Sequence, residues 1–191
     1  IGIGLTSGDA LTTGTDNVSI GRLALSASPD GADNIAIGRS ALAVSDGVAD
    51  DNVAIGRSAL GGADVSGASN VGIGTTVADA LTTGTKNVAI GLNAMGGATT
   101  ADSSVAIGEL AMGTGTATGN GNIAIGKSAL VAVTGGANNI AMGLTSGDAL
   151  TGGSNNISLG QLALSASPDG EDNIAIGRSA LAVSDGVGDD N

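Results

Sequence analysis

The stretch DNIAIGRSAL at residues 33–42 returns letter for letter at residues 172–181, and close variants stand between them: DNVAIGRSAL at 51–60, KNVAIGLNAM at 86–95 and GNIAIGKSAL at 121–130. Aligned on the motif N-[IV]-x-[ILM]-G, the chain places a glycine at 4, 21, 38, 56, 74, 91, 108, 126, 143, 160 and 177, always 17 or 18 residues apart. A period of this length marks a repeat architecture, in which each repeat contacts chiefly its neighbours.

The columns of the repeat carry the local structure. Three residues before each glycine from Gly21 onward stands only Ile or Val, and immediately before it Ile, Leu or Met. Between them is a small residue: Ala36, Ser19 or Gly72, for example. Large, small, large at period two predicts a short strand, with the large residues in a core and the small ones on the opposite face. Each coil then supplies a second core contact, Ala followed by Leu or Met, as at Ala41 and Leu42 or Ala94 and Met95. Glycine inside every apolar segment and β-branched residues at the aliphatic positions oppose a helical reading. The expected fold is all-β: a parallel β-solenoid of about eleven coils of 17–18 residues, stacked at about 4.8 Å and therefore roughly 50 Å long.

Other columns suit the corners. The motif glycine fits a position that needs positive φ or close backbone approach. Asn17, Asn34, Asn52, Asn70, Asn87, Asn122, Asn139, Asn156 and Asn173 form a structural ladder, with Ser104 as its interruption within the array. Stacked amides can satisfy one another and the turn backbone. After Gly4, Gly74 and Gly143 the Ala-Leu pair arrives three residues late, yet the coil still closes in 17 or 18. Residues 1–52 match 140–191 at 42 of 52 positions, an offset of eight coils, so a super-repeat overlies the repeat. The whole of 1–191 therefore reads as one array, expected to be a segment of a longer one.

Composition narrows the chemistry. The 191 residues include no Phe, Tyr, Trp, His or Cys, and 35 are Gly. The missing aromatics imply a core too narrow to hold them. A net charge of -12 disfavours nucleic acid and anionic lipid, and no apolar run approaches the roughly 20 residues of a membrane span. Without His or Cys the usual bases, thiol nucleophiles and transition-metal ligands are missing, and the remaining Asp and Ser recur in turns rather than in one constellation. No catalysis is expected. IGRSAL resembles one hexapeptide of the left-handed β-helix acyltransferases, but their catalytic His has no counterpart here and the six-residue spacing does not persist.

No cofactor is expected either, although Asp-rich loops raise calcium, above all at Asp46, Asp50 and Asp51. Similar segments hold Asp30 and Asp33, and Asp169, Glu171 and Asp172. They lack the spacing of known calcium loops, and turn Asp residues are expected for their local backbone bonding. GTGTATG at 113–119 lacks nucleotide-loop spacing. NVS at 17 and NIS at 156 match the glycosylation sequon, but their Asn belong to the stacked column. Scattered Thr12, Thr13, Thr99 and Thr100 do not form ice-binding ranks.

Five of the six basic residues, Arg22, Arg39, Arg57, Lys127 and Arg178, share the position after the motif glycine. Like charges stacked this way call for acids from the loops of an adjacent coil or from another chain. The small column, including Ala36, Ala54 and Ala89, is the expected place for close approach by that chain.

The phrases NVAIG and SVAIG, each followed by short Ala- and Ser-rich segments, resemble the YadA-like head repeats of the trimeric autotransporter adhesins. Similar arrays occur in phage tail-fibre-like proteins. The adhesin resemblance spans all eleven coils and implies a left-handed β-roll, a trimer of narrow solenoids and a bacterial surface from which it projects to bind matrix or cells. The residues themselves suggest self-association, as a trimer or an end-to-end filament, with a host or neighbouring cell surface as a further partner. A recognition site should break the repeat with exposed aromatic or Arg-rich residues. No coil does so, which favours a structural extracellular filament of the surface or matrix over an adhesin head.

Overall fold

A computed structural model describes residues 1–27, 30–45, 49–166 and 168–182. Its regular structure is eleven short strands: β1 (Gly2–Ile3), β2 (Val18–Ile20), β3 (Ile35–Ile37), β4 (Val53–Ile55), β5 (Val71–Ile73), β6 (Val88–Ile90), β7 (Val105–Ile107), β8 (Ile123–Ile125), β9 (Ile140–Met142), β10 (Ile157–Leu159) and β11 (Ile174–Ile176). They form one parallel sheet in chain order. Every pairing sets like against like: Ile35 lies beside Val53, Ala36 beside Ala54 and Ile37 beside Ile55. The chain is thus a β-solenoid whose successive coils stack at one-strand spacing, and coil n below is the coil that contains strand βn.

The inward and outward faces are the reverse of the expectation. Ala36, Ala54, Ala89, Ala106 and Ala124 are all but fully buried, whereas the flanking Ile and Val residues are half-buried or exposed. The cause is the width of the coil. Leu25, Leu42, Leu60, Met95, Met112, Leu130 and Leu164 fill the interior with no measurable exposure or 1% at most. At Gly72 a methyl group would already lie 3.2 Å from Leu60 Cγ and 3.4 Å from Val77 Cγ1. The column facing these side chains has room for Gly, Ala or Ser and nothing larger.

The late Ala-Leu coils obey the same limit. There Leu81 and Leu150 reach the core from three residues further on, and Ala78 and Gly147 take the place of the usual Leu. A compensating pair accompanies the change. Ser7 and Ser146 hydrogen-bond through their hydroxyls to Ser19 and Ser158 of the following coil, at 2.7 and 2.6 Å. In the third such coil the equivalent residues are Val77 and Ala89, both buried and apolar. Polar meets polar or apolar meets apolar, so no hydroxyl is left unpaired in the core.

Corners are tight. The motif glycines have φ between 120° and 144°. From Gly4 to Gly160, a Cβ would stand within 2.7 Å of a backbone atom of the next motif glycine, at its carbonyl. Two and four residues beyond the glycine the backbone enters the left-handed region even at bulky side chains: Ser40 at 57° and Leu42 at 45°, Leu110 at 58° and Met112 at 50°. Such a conformation costs about 1–2 kcal/mol per residue. It is offset by bonds between coils: Ser40 N–H donates to Arg22 O at 2.9 Å, and Leu42 N–H donates to Ala59 O at 2.9 Å.

Gly56→Ala should therefore lower stability by at least about 2 kcal/mol, measured by thermal or denaturant unfolding. Gly135→Ala, where a methyl group meets nothing within 4 Å, should stay within about 0.5 kcal/mol of the parent.

Candidate functional site: the asparagine ladder and the outward sheet face

The asparagine column is interior structure. Asn52 shows how each member works: its Oδ1 accepts the N–H of Asn70 at 2.9 Å, and its Nδ2 donates to Gly67 O at 3.1 Å, both in the next coil. The same pair of bonds links Asn139 to Asn156 and Gly153. Asn34, Asn52, Asn70, Asn87, Asn122, Asn139, Asn156 and Asn173 are at most 1% exposed, and Asn17 near the array's first coil is 7% exposed. Ser104 keeps half of the function. Its Oγ accepts Asn122 N–H at 3.2 Å, but it donates to Asp102 O in its own coil instead of to the coil beyond.

Replacing Asn52 by Ala leaves a buried N–H and a buried C=O without those partners. The expected loss is about 2–4 kcal/mol, measured by denaturant unfolding. Asn52→Ser should lose less, because the hydroxyl can accept as Ser104 does.

Ala36, Ala54 and Ala89 do not form a contact surface for another chain; they lie inside their own coil, packed against the leucine column. The surface in that direction is aliphatic. Two columns run along the sheet, Val18, Ile35, Val53 and their successors in one, Ile20, Ile37, Ile55 and theirs in the other. Ile73 and Met142, well inside the array, are 37% and 43% exposed. Sequence periodicity had located this alternation, but only the opposing leucines reveal which set of residues faces out.

The basic column lies at one edge of this face. Arg22, Arg39, Arg57, Lys127 and Arg178 are all exposed. Lys127 Nζ makes an ion pair with Glu109 Oε2 of the preceding coil at 3.1 Å. The four arginines make no ion pair or side-chain hydrogen bond among the described residues.

The calcium reading falls partly outside the described residues, where Asp46 lies. Asp50 accepts a hydrogen bond from Ala32 N–H at 2.8 Å through Oδ1, and Asp51 is exposed at a corner with φ 59°. Among the described residues there is no group of three or more His, Cys, Asp or Glu side chains placed to hold a metal ion, and no pocket. Among the described residues no helix is long and apolar enough to cross a membrane. No family model, curated protein or solved structure matches the chain.

Two carboxylates at the redrawn corners are strained by partial burial. Desolvation raises the pKa of Asp79 and Asp148 above the ordinary 3.8, against a smaller lowering by backbone hydrogen bonds. Asp148 Oδ1 is buried without a hydrogen-bond partner. A raised folded-state pKa means that folding favours the neutral acid, so ionisation at neutral pH works against stability. Asp148→Asn should raise the melting temperature at pH 7. The gain should shrink as pH falls through the raised value and vanish in acid below the ordinary one, where both states bind the proton.

Proposed function

We infer that the chain is a structural rod, a segment of an extracellular filament or fibre on a bacterial surface or in its matrix, and that its coils associate side by side with other copies. The observation that carries this reading is the outward aliphatic face. Each coil completes its own core with Leu or Met and Ala, yet most strands still present two large aliphatic side chains to the outside. Eleven strands at strand spacing make a face roughly 50 Å long and about 7 Å wide, or about 350 Å² per copy. A contiguous apolar face of this size matches the largest patch of an ordinary monomer, which is often functional. Covering it on two copies would remove up to about 700 Å² from water, a gain set against the cost of association.

Rod-like stacking supplies length and stiffness, and the rung-to-rung bonds resist local opening. The adhesin-head resemblance supports both the bacterial-surface setting and a trimer as the assembled state. Catalysis and a resident cofactor are not part of the proposal.

Light scattering at micromolar concentration should give a small multiple of the single-chain mass, three for a trimer, and electron microscopy should show rods or fibres of constant width. Ile55→Lys with Ile90→Lys should give a monomer that keeps the circular dichroism of the parent, because both side chains point away from the core. A parent chain that is monomeric under these conditions overturns the reading.

A further inference from the structure

The aliphatic face has two edges, and in four coils they carry opposite charges together. The residue before each ladder position forms one edge: Asp16, Asp33, Asp51, Ser69, Lys86, Ser103, Gly121, Asn138, Asn155 and Asp172 in coils two to eleven. The residue after each motif glycine forms the other: Arg22, Arg39, Arg57, Thr75, Leu92, Glu109, Lys127, Leu144, Gln161 and Arg178. Aspartate stands at the first edge in coils two, three, four and eleven, and arginine stands at the second edge in those same four coils. All eight side chains are exposed.

Within one chain these charges do not meet. The two edges are six residues apart across a strand, on the order of 15–20 Å, and none of the eight makes a side-chain hydrogen bond or ion pair among the described residues. Other acids of the array do bond: Asp30 accepts from Thr13, Asp50 from Ala32 N–H, and Asp102 from Thr85 N–H. The left-handed corner at the first edge, with φ 58–59° at the four aspartates, suits Asp. It equally accepts Ser69, Lys86, Asn138 and Asn155, so corner geometry does not account for the match with arginine.

Two internal comparisons sharpen the match. Coil eleven repeats coil three, so its pair adds no independent instance, but coil ten is the super-repeat counterpart of coil two and differs at both edges. Asn155 stands where coil two has Asp16, and Gln161 where it has Arg22: both charges are absent together. Where the second edge carries Glu109 and Lys127, the first edge of the same coils holds uncharged Ser103 and Gly121, and here the chain pairs its own charges. Lys86, opposite Leu92, is the one edge charge left without an answer.

The geometry points to a charge clasp between copies of this chain: the Arg22, Arg39, Arg57 and Arg178 edge of one copy seats against the Asp16, Asp33, Asp51 and Asp172 edge of the next. It sets the copies parallel and coil-in-register. A rotation axis parallel to the rod keeps each coil at its own level and brings unlike edges together, in a dimer or in a larger ring. An axis perpendicular to the rod reverses the order of coils and sets like edges face to face, with Asp16 toward the Asp172 end. The aliphatic face supplies the affinity and the clasp supplies direction and register. This inference rests on the side-by-side association proposed above.

The test uses the full chain in three forms. One carries Arg22→Glu, Arg39→Glu and Arg57→Glu; a second carries Asp16→Lys, Asp33→Lys and Asp51→Lys; the third carries all six changes. Glu109 and Lys86 already occupy these two columns, so both replacements suit the local backbone. Association is followed by light scattering across a concentration series, with circular dichroism to verify the fold. Each triple variant should need at least about tenfold more protein to assemble than the parent, and the gap should narrow at about 0.5 M salt. The six-fold variant should assemble within about threefold of the parent. Native mass spectrometry of its mixture with the parent should show separate homo-oligomers, because parent arginines would meet introduced lysines.

Triple variants that assemble like the parent, or a six-fold variant that mixes freely with it, overturn the clasp while leaving the aliphatic-face reading intact. A parent chain that does not associate defeats that reading first. If the triple variants lose their fold, the mixing experiment with the six-fold variant decides.

Discussion

Everything in this molecule depends on the backbone of one coil lying directly on the backbone of the next. Strand pairs in the sheet and the N–H to C=O bonds at the corners link coil to coil in one constant register. That register turns each sequence column into a line of stacked residues. It also places a motif-glycine carbonyl where the preceding glycine would carry a side chain, so an added methyl at one corner disturbs two coils. Left-handed leucines and methionines, unfavourable alone, persist because neighbouring coils hold them on both sides.

A thin cross-section follows from the same constraint. The interior of most coils accommodates one leucine or methionine, a small strand residue and a few alanines or a valine such as Val65 or Val133, and its polar groups are stitched by asparagine. Such a rod cannot bury all of its aliphatic side chains. The surplus appears on the sheet's outer face, flanked in four coils by an aspartate on one edge and an arginine on the other. The core and the outward aliphatic face are thus two consequences of one alternating strand.

Much of this was legible in the repeat. The period, the parallel stacking, the corner glycine and the asparagine ladder each correspond to a column whose chemistry allows few uses. Ser104 was visible as an interruption, and the structure shows which of the two asparagine bonds it retains. The redrawn corners after Gly4, Gly74 and Gly143 were visible too, while their coupling to Ser19, Ala89 and Ser158 required knowing which residues of successive coils meet. The arginine column was plain from spacing. Its match to Asp16, Asp33 and Asp51 was not, because the two columns flank one outward face only once the strand between them is known to face outward.

The sequence by itself determined the coil length, the strand positions and the order of stacking, since these follow from which residues recur and how far apart. It did not determine which side of the strand is the inside. A period-two alternation of large and small residues is unchanged when the two faces are exchanged, and residue size alone suggested the wrong choice. Only the tertiary structure decided it: the Leu42 and Leu60 column already occupies the interior, so Ala36 and Ala54 turn inward and Ile35 and Ile37 turn out.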